Sequence, residues 1–168
     1  MTSELDFIVT RHISILFTLV VFMSSSEGCS HSKMHSQDAE GAGDAVIASN
    51  EWFAGARWKN RLLIFTGTGE AADHQRKMAL ESRTSYLERD LIVIHLDDDT
   101  ASVIVGEDRP LPESELFRQR FAMTDVTFEV VLVGKDGGAK ERRKAPFQTE
   151  ELFGIIDAMP MRMREMRR

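Results

Sequence analysis

Two short apolar runs dominate the middle of the chain, RLLIF at residues 61–65 and LIVIHL at residues 91–96. Neither alternates with polar residues, which is the pattern of strands buried on both faces of a sheet. The stretch between them, residues 70–89, has helix-forming composition. Thr68 and Gly69 can open that helix, and Glu70 and Asp73 suit the positive end of its dipole. A strand, a helix and a strand of this length predict a βαβ unit with a right-handed crossover. In the loop 97–112, DDDTASVIVGEDRPLP, the VIV segment reads either as a short extra strand or as packed loop. Pro112 is expected to start a helix with Leu116, Phe117 and Phe121 inward. FEVVLV at 128–133 is a third buried strand. AKERRK at 139–144 has no large apolar residue and reads as a polar strand at a sheet edge. Thr149 is expected to cap a last helix, with Leu152, Phe153, Ile155, Ile156 and Met159 as its inner stripe and Pro160 as its stop.

The order β-α-β, then α-β-β-α, predicts an α/β fold of thioredoxin-like arrangement, a mixed sheet flanked by helices. The 168 residues suffice for one domain of ordinary size. A net charge of −6 does not favour a nucleic-acid partner. The basic residues gather late: the tail RMREMRR holds four arginines, Arg162, Arg164, Arg167 and Arg168, against one glutamate. It reads first as a solvated, frayed end. Binding of anionic lipid or polymer is the alternative. Trp52 and Trp58, at the start of the domain, are expected to pack against the sheet.

Between FEVVLV and AKERRK lies GKDGG, residues 134–138. A phosphate loop needs G-x-x-x-x-G-K-[ST] running into a helix. Here Glu129 replaces the first glycine, Asp136 replaces the hydroxyl residue, and a polar strand follows. Asp136, Gly137 and Gly138 suit the positive-φ positions of a hairpin turn. The stretch TGTGEAADHQ, residues 66–75, occupies the place of the redox site in a thioredoxin-like fold and contains no cysteine. Asp73 and His74 are the polar candidates there, although neighbours on a helix point about 100° apart. His95, Asp97, Asp98 and Asp99 end the second strand, where α/β folds place ligands, and oxygen-rich clusters hold calcium or magnesium. Both groups read first as solvated surface, with ligand binding or acid–base work as the alternative. Four methionines between Met159 and Met166 are soft copper ligands in principle but more simply adaptable packing. His31 and His35 lie in a polar stretch and would bind metal only adventitiously. No cofactor is called for, and no G-x-S-x-G or H-E-x-x-H motif is present.

The N-terminal part reads as an address. ISILFTLVVFM, residues 13–23, is too short to span a bilayer, for which a helix needs roughly 20 residues. A charged start, a short apolar core and the polar SSSEGCS after it predict a signal peptide over residues 1–28. Cys29 follows Gly28 in the manner of a bacterial lipobox, although Glu27 and Ser26 depart from that pattern. Lipidation of Cys29 and anchoring at the cell envelope are therefore expected. A cleaved periplasmic or secreted form is the alternative, and an uncleaved anchor a third. Residues 29–49 are expected to be a flexible spacer and residues 50–168 the domain. Cys29 is the only cysteine, which excludes thiol chemistry in that domain.

Four blocks carry a family resemblance: WKNRLLIF from Trp58, ERDLIVI from Glu88, LVGKDGGAK from Leu132 and IDAMPMR at 156–162. The chain resembles an uncharacterised bacterial domain family, with related domains in extracellular animal proteins such as equarin and sushi-repeat-containing proteins. The resemblance covers residues 50–168. It implies a thioredoxin-like fold near the peroxiredoxins, with extracellular associations and no established activity. The chain departs from redox thioredoxins in lacking the active-site cysteine. Thr127 and Phe128 also stand where a cis-proline would be expected. The expected function is a non-catalytic binding or scaffolding module for an envelope protein or component, held to the membrane through its lipid. The alternative is a cysteine-free enzyme or metal-binding protein using Asp73 and His74 with the Asp97–Asp99 loop.

Overall fold

In the computed structural model of the protein, residues 38–124 and 127–167 are described. Residues 1–28, expected to be a signal peptide, together with Cys29, His31, His35 and Arg168, lie outside them.

Among the described residues the elements follow in chain order as α1 (Asp38–Ala56), β1 (Arg61–Thr66), α2 (Glu70–Glu81), α3 (Arg83–Leu87), β2 (Leu91–Leu96), β3 (Ala101–Val105), α4 (Ser114–Phe121), β4 (Glu129–Val133), β5 (Ala139–Arg143), α5 (Thr149–Asp157) and α6 (Pro160–Glu165). The strands form one sheet in the order β3-β2-β1-β4-β5. β1 and β2 run parallel, and the β1–β4, β2–β3 and β4–β5 pairs are antiparallel. This mixed α/β sheet, flanked by helices, is compatible with the thioredoxin-like arrangement.

Successive residues of a strand face opposite sides, so β1, β2 and β4 each feed two cores. Leu63, Phe65, Leu91, Val93, Val130 and Leu132 pack on one face under Ala72 and Ala79 of α2 and Leu152 and Ile156 of α5. Leu62, Ile64, Ile92, Ile94, Leu96, Val131 and Val133 pack on the other, under Phe53 of α1 and Phe117 and Phe121 of α4. Burial on both faces is why these strands read as unbroken apolar runs. β3 resolves the VIV question as an edge strand. The polar β5 forms the opposite edge.

Several expectations need correction. A helix, α1, starts at Asp38, inside the stretch read as spacer. Its buried positions are Ser49, Phe53 and Ala56, helical spacing that two small residues disguise. The segment 70–89 is not one helix. It breaks at Ser82, where φ is −106° and ψ 22°, and resumes as α3. Helix α4 begins at Ser114, two residues after Pro112, and Thr149 is the first residue of α5 rather than its cap, the preceding Gln148 making no side-chain capping bond. Helix α5 does stop before Pro160, at Asp157, as expected, but Pro160 also opens a further helix. It is the first residue of α6, where its missing N–H costs nothing. Trp52 packs edge-on against Phe53 and Phe117, whereas Trp58 is 58% exposed.

Candidate functional site

The C-terminal ends of β1 and β2 carry the residues singled out in the sequence. His95 is buried, and its ring stacks on Phe65 at 4.7 Å. Arg76 donates to His95 Nδ1 at 3.1 Å, which leaves Nε2 as the donor to the Gly67 carbonyl at 2.9 Å. Arg76 also donates to Asp73 Oδ1 at 2.9 Å. Asp73, Arg76, His95 and Gly67 thus form one chain of contacts in which both imidazole nitrogens are engaged. His74 is exposed and outside this chain.

Asp97, Asp98 and Asp99 are exposed as well. The Asp97 carboxylate accepts the Asp98 N–H at 3.0 Å, a local loop contact. The loop is held by its backbone: Ser114 Oγ donates to the Asp98 carbonyl at 2.8 Å and Arg118 to the Asp97 carbonyl at 3.1 Å. Among the described residues no three His, Cys, Asp or Glu side chains converge as metal ligands. The structure therefore brings Asp73 and His95 into one network and leaves His74 and the three aspartates apart.

Gly67 explains how this end closes. Its φ is 93°, and an added Cβ would lie 2.0 Å from the Thr127 carbonyl oxygen. The backbone of the segment before β4 thus rests directly on the loop after β1.

The opposite end of the sheet holds a dense ion-pair network, and no sequence motif announced it. Arg61 is 1% exposed. Its guanidinium donates to the Arg89 carbonyl at 2.8 Å and meets both oxygens of Glu165 at 3.2–3.3 Å. Lys135 is also buried, with Nζ 2.7 Å from Glu165 and 2.7 Å from Asp90. Arg89 binds Asp157 through two nitrogens, at 3.1 and 2.6 Å, and its guanidinium covers the Phe153 ring at 4.0 Å. Arg162 reaches Asp157 at 3.1 Å and the Glu88 carbonyl at 2.9 Å.

Burial alone raises the Asp157 carboxyl, but hydrogen bonds and charge from Arg89 and Arg162 outweigh it and hold the group below its ordinary value. Glu165 behaves likewise: burial raises it, and Lys135 and Arg61 bring it down overall. Arg61, Arg89, Asp90, Lys135, Asp157 and Arg162 come from the four sequence blocks that carried the family resemblance. Their shared property is that they meet here.

The GKDGG segment is the hairpin turn expected of it, with Gly134 and Gly138 paired at 2.9 Å and Gly137 at φ 80°. Its lysine turns inward to carboxylates. The tail is docked rather than frayed at Arg162, while Arg164 and Arg167 are exposed. Met163 and Met166 are exposed too, and Met159 packs against the core.

A mixed five-stranded sheet with a cysteine-free loop at one end and an ion-pair network at the other defines an α/β module compatible with the thioredoxin-like arrangement. The model of a domain of unknown function, DUF4174, matches residues 53–165, and the chain belongs to that family. A search of curated proteins finds no match. No helix among the described residues is long and apolar enough to cross a membrane.

Proposed function

We propose that the protein is a non-catalytic, thioredoxin-like binding or scaffolding module, held at the cell envelope by lipid on Cys29. The observation that carries the non-catalytic part is the state of the loop end. His95, the buried imidazole there, has both ring nitrogens engaged by Arg76 and the Gly67 carbonyl, and general acid–base work needs a nitrogen within reach of substrate. The family blocks support the scaffolding part, since their charged residues brace helix against strand. The resemblance to domains of equarin and sushi-repeat-containing proteins points the same way.

The envelope part rests on the apolar run 13–23 and on Gly28-Cys29. Acyl chains anchor stably when more than one is present. A periplasmic or secreted module is the version without the lipid. An enzyme or metal protein on Asp73, His74 and Asp97–Asp99 draws less support, because His74 and the aspartates are exposed and separate.

The test is intact mass and membrane fractionation of the full chain expressed in a bacterial host, beside Cys29→Ala. Expected is a diacylglyceryl increment on a chain starting at Cys29, with membrane association lost in the variant. An unmodified, soluble product would refute the tether.

A further inference from the structure

Trp58 is the least economical residue in the fold. It follows the C-terminal end of α1 with φ at 66° and donates its N–H to the Lys135 carbonyl at 2.6 Å. Helices often end on a left-handed residue, but glycine is the usual choice. A side chain there costs about 1–2 kcal/mol. The indole recovers little of that by packing, being 58% exposed. Backbone strain kept under an exposed aromatic ring is the kind of outlier from which a binding role is inferred.

The indole lines a groove of about 270 Å³ with Phe53, Arg57, Asn60, Arg120 and Gly137. Among the described residues no Asp or Glu lines it, although the chain carries a net −6. The Arg57 guanidinium lies over Trp58 at 5.2 Å and that of Arg120 over Phe53 at 4.9 Å. Among the described residues neither arginine has a carboxylate partner, whereas Arg61, Arg89 and Arg162 are all paired. Two guanidiniums held on aromatic shelves are ready for carboxylates. Asn50 and Asn60, also lining the groove, can donate to and accept from peptide groups. The volume falls at the lower edge of the roughly 300–1,000 Å³ of pockets that enclose a small ligand. It suits one or two side chains of something larger.

We propose that this groove binds an acidic peptide segment of a partner protein, with its carboxylates on Arg57 and Arg120 and an apolar side chain over Trp58. The proposal rests on the binding-module reading but not on the lipid: a soluble Cys29 product would leave it standing, and an empty groove would leave the tether standing.

The probe is acetyl-Phe-Glu-Glu-Phe-amide carrying a neutral dye, read by fluorescence anisotropy on the full chain. The glutamine version of the peptide is the control. Expected is saturable, salt-weakened binding to the Glu peptide and about tenfold weaker binding to the Gln peptide. Arg120→Glu and Trp58→Gly should each lose about tenfold in affinity, roughly 1.4 kcal/mol. Trp58→Gly should keep or raise the melting temperature, since glycine relieves the left-handed strain, so its loss of binding cannot come from unfolding. Absence of saturable binding would overturn the proposal, as would equal binding of the Gln peptide or affinity unchanged in both variants. Arg120-dependent binding to phosphatidylglycerol vesicles, with none to the peptide, would assign the groove to lipid instead.

Discussion

Gly67 is where one hydrogen atom decides the backbone path. Both its φ of 93° and the 2.0 Å approach of the Thr127 carbonyl exclude a side chain. Gly67→Ala is expected to destabilise the protein by about 2 kcal/mol or more, from the left-handed penalty and from displacement of the segment before β4. Thermal unfolding of the variant checks this, and an unchanged midpoint would mean the loop relaxes freely. His74 is the contrast. Exposed and outside the Asp73–Arg76–His95 chain, it should tolerate alanine within about 0.5 kcal/mol. A larger loss in urea unfolding would place it in the network after all. These two residues are seven positions apart in one loop and helix start, and only the glycine is structurally committed.

At the scale of elements, α6 is held by charge more than by apolar contact. It has no fully buried residue, yet Glu165 accepts from Arg61 and Lys135. Glu165→Ala would leave a cation that is 1% exposed without its carboxylate, a change expected to cost about 3 kcal/mol, or roughly 10 °C in melting temperature. The pH dependence follows from the same contacts. Asp157 and Glu165 both titrate below their ordinary values of 3.8 and 4.5 in the folded protein. Their stabilisation is therefore complete above those values and is lost as pH falls through the folded ones. Urea unfolding should show the full stabilisation from these two groups, with no pH dependence from them, between neutral pH and about 5, and a falling limb below about 4.5. Glu165→Gln should lower stability at neutral pH and flatten that limb. A limb as steep as the parent's would assign acid sensitivity to other carboxylates.

The same elements show what the sequence made legible. β1, β2 and β4 were readable because burial on both faces leaves an unbroken apolar run, and β5 because an edge strand tolerates Lys, Glu and Arg. The break at Ser82 was not readable, since residues 70–89 carry no glycine or proline to mark it. α1 was masked because Ser49 and Ala56, at its buried positions, are small and common in linkers. The candidate site divided in the same way. His95 could be placed at a strand end by pattern alone. Its partner Arg76 could not, because the contact crosses from α2 to β2. The pairing of Arg61 with Glu165 spans 104 positions, and nothing local in either neighbourhood signals the other. Trp58 was read as packing because an aromatic beside a helix end usually packs, and only the backbone angle and exposure distinguish it.

For the whole molecule, the two ends of the sheet differ in kind. One is closed by backbone on backbone at Gly67, the other by a web of charge. The web also carries a consequence in time. Protein chains are made from the N-terminus onward, and domains fold as they emerge. Arg61 enters β1 early, while the carboxylate that neutralises it arrives a hundred residues later in α6. Until then the sheet would have to bury a lone guanidinium, which is costly. Closure of this end of the sheet is thus tied to arrival of α6. Expression of a chain ending at Met159 should give a protease-sensitive product, whereas Glu165→Ala, which keeps the helix, should give a folded but less stable one. Equal protease resistance of the shortened and full chains would show that the sheet forms without waiting. If it does wait, the late carboxylate acts as a proof of completeness, and interrupted chains remain open to degradation.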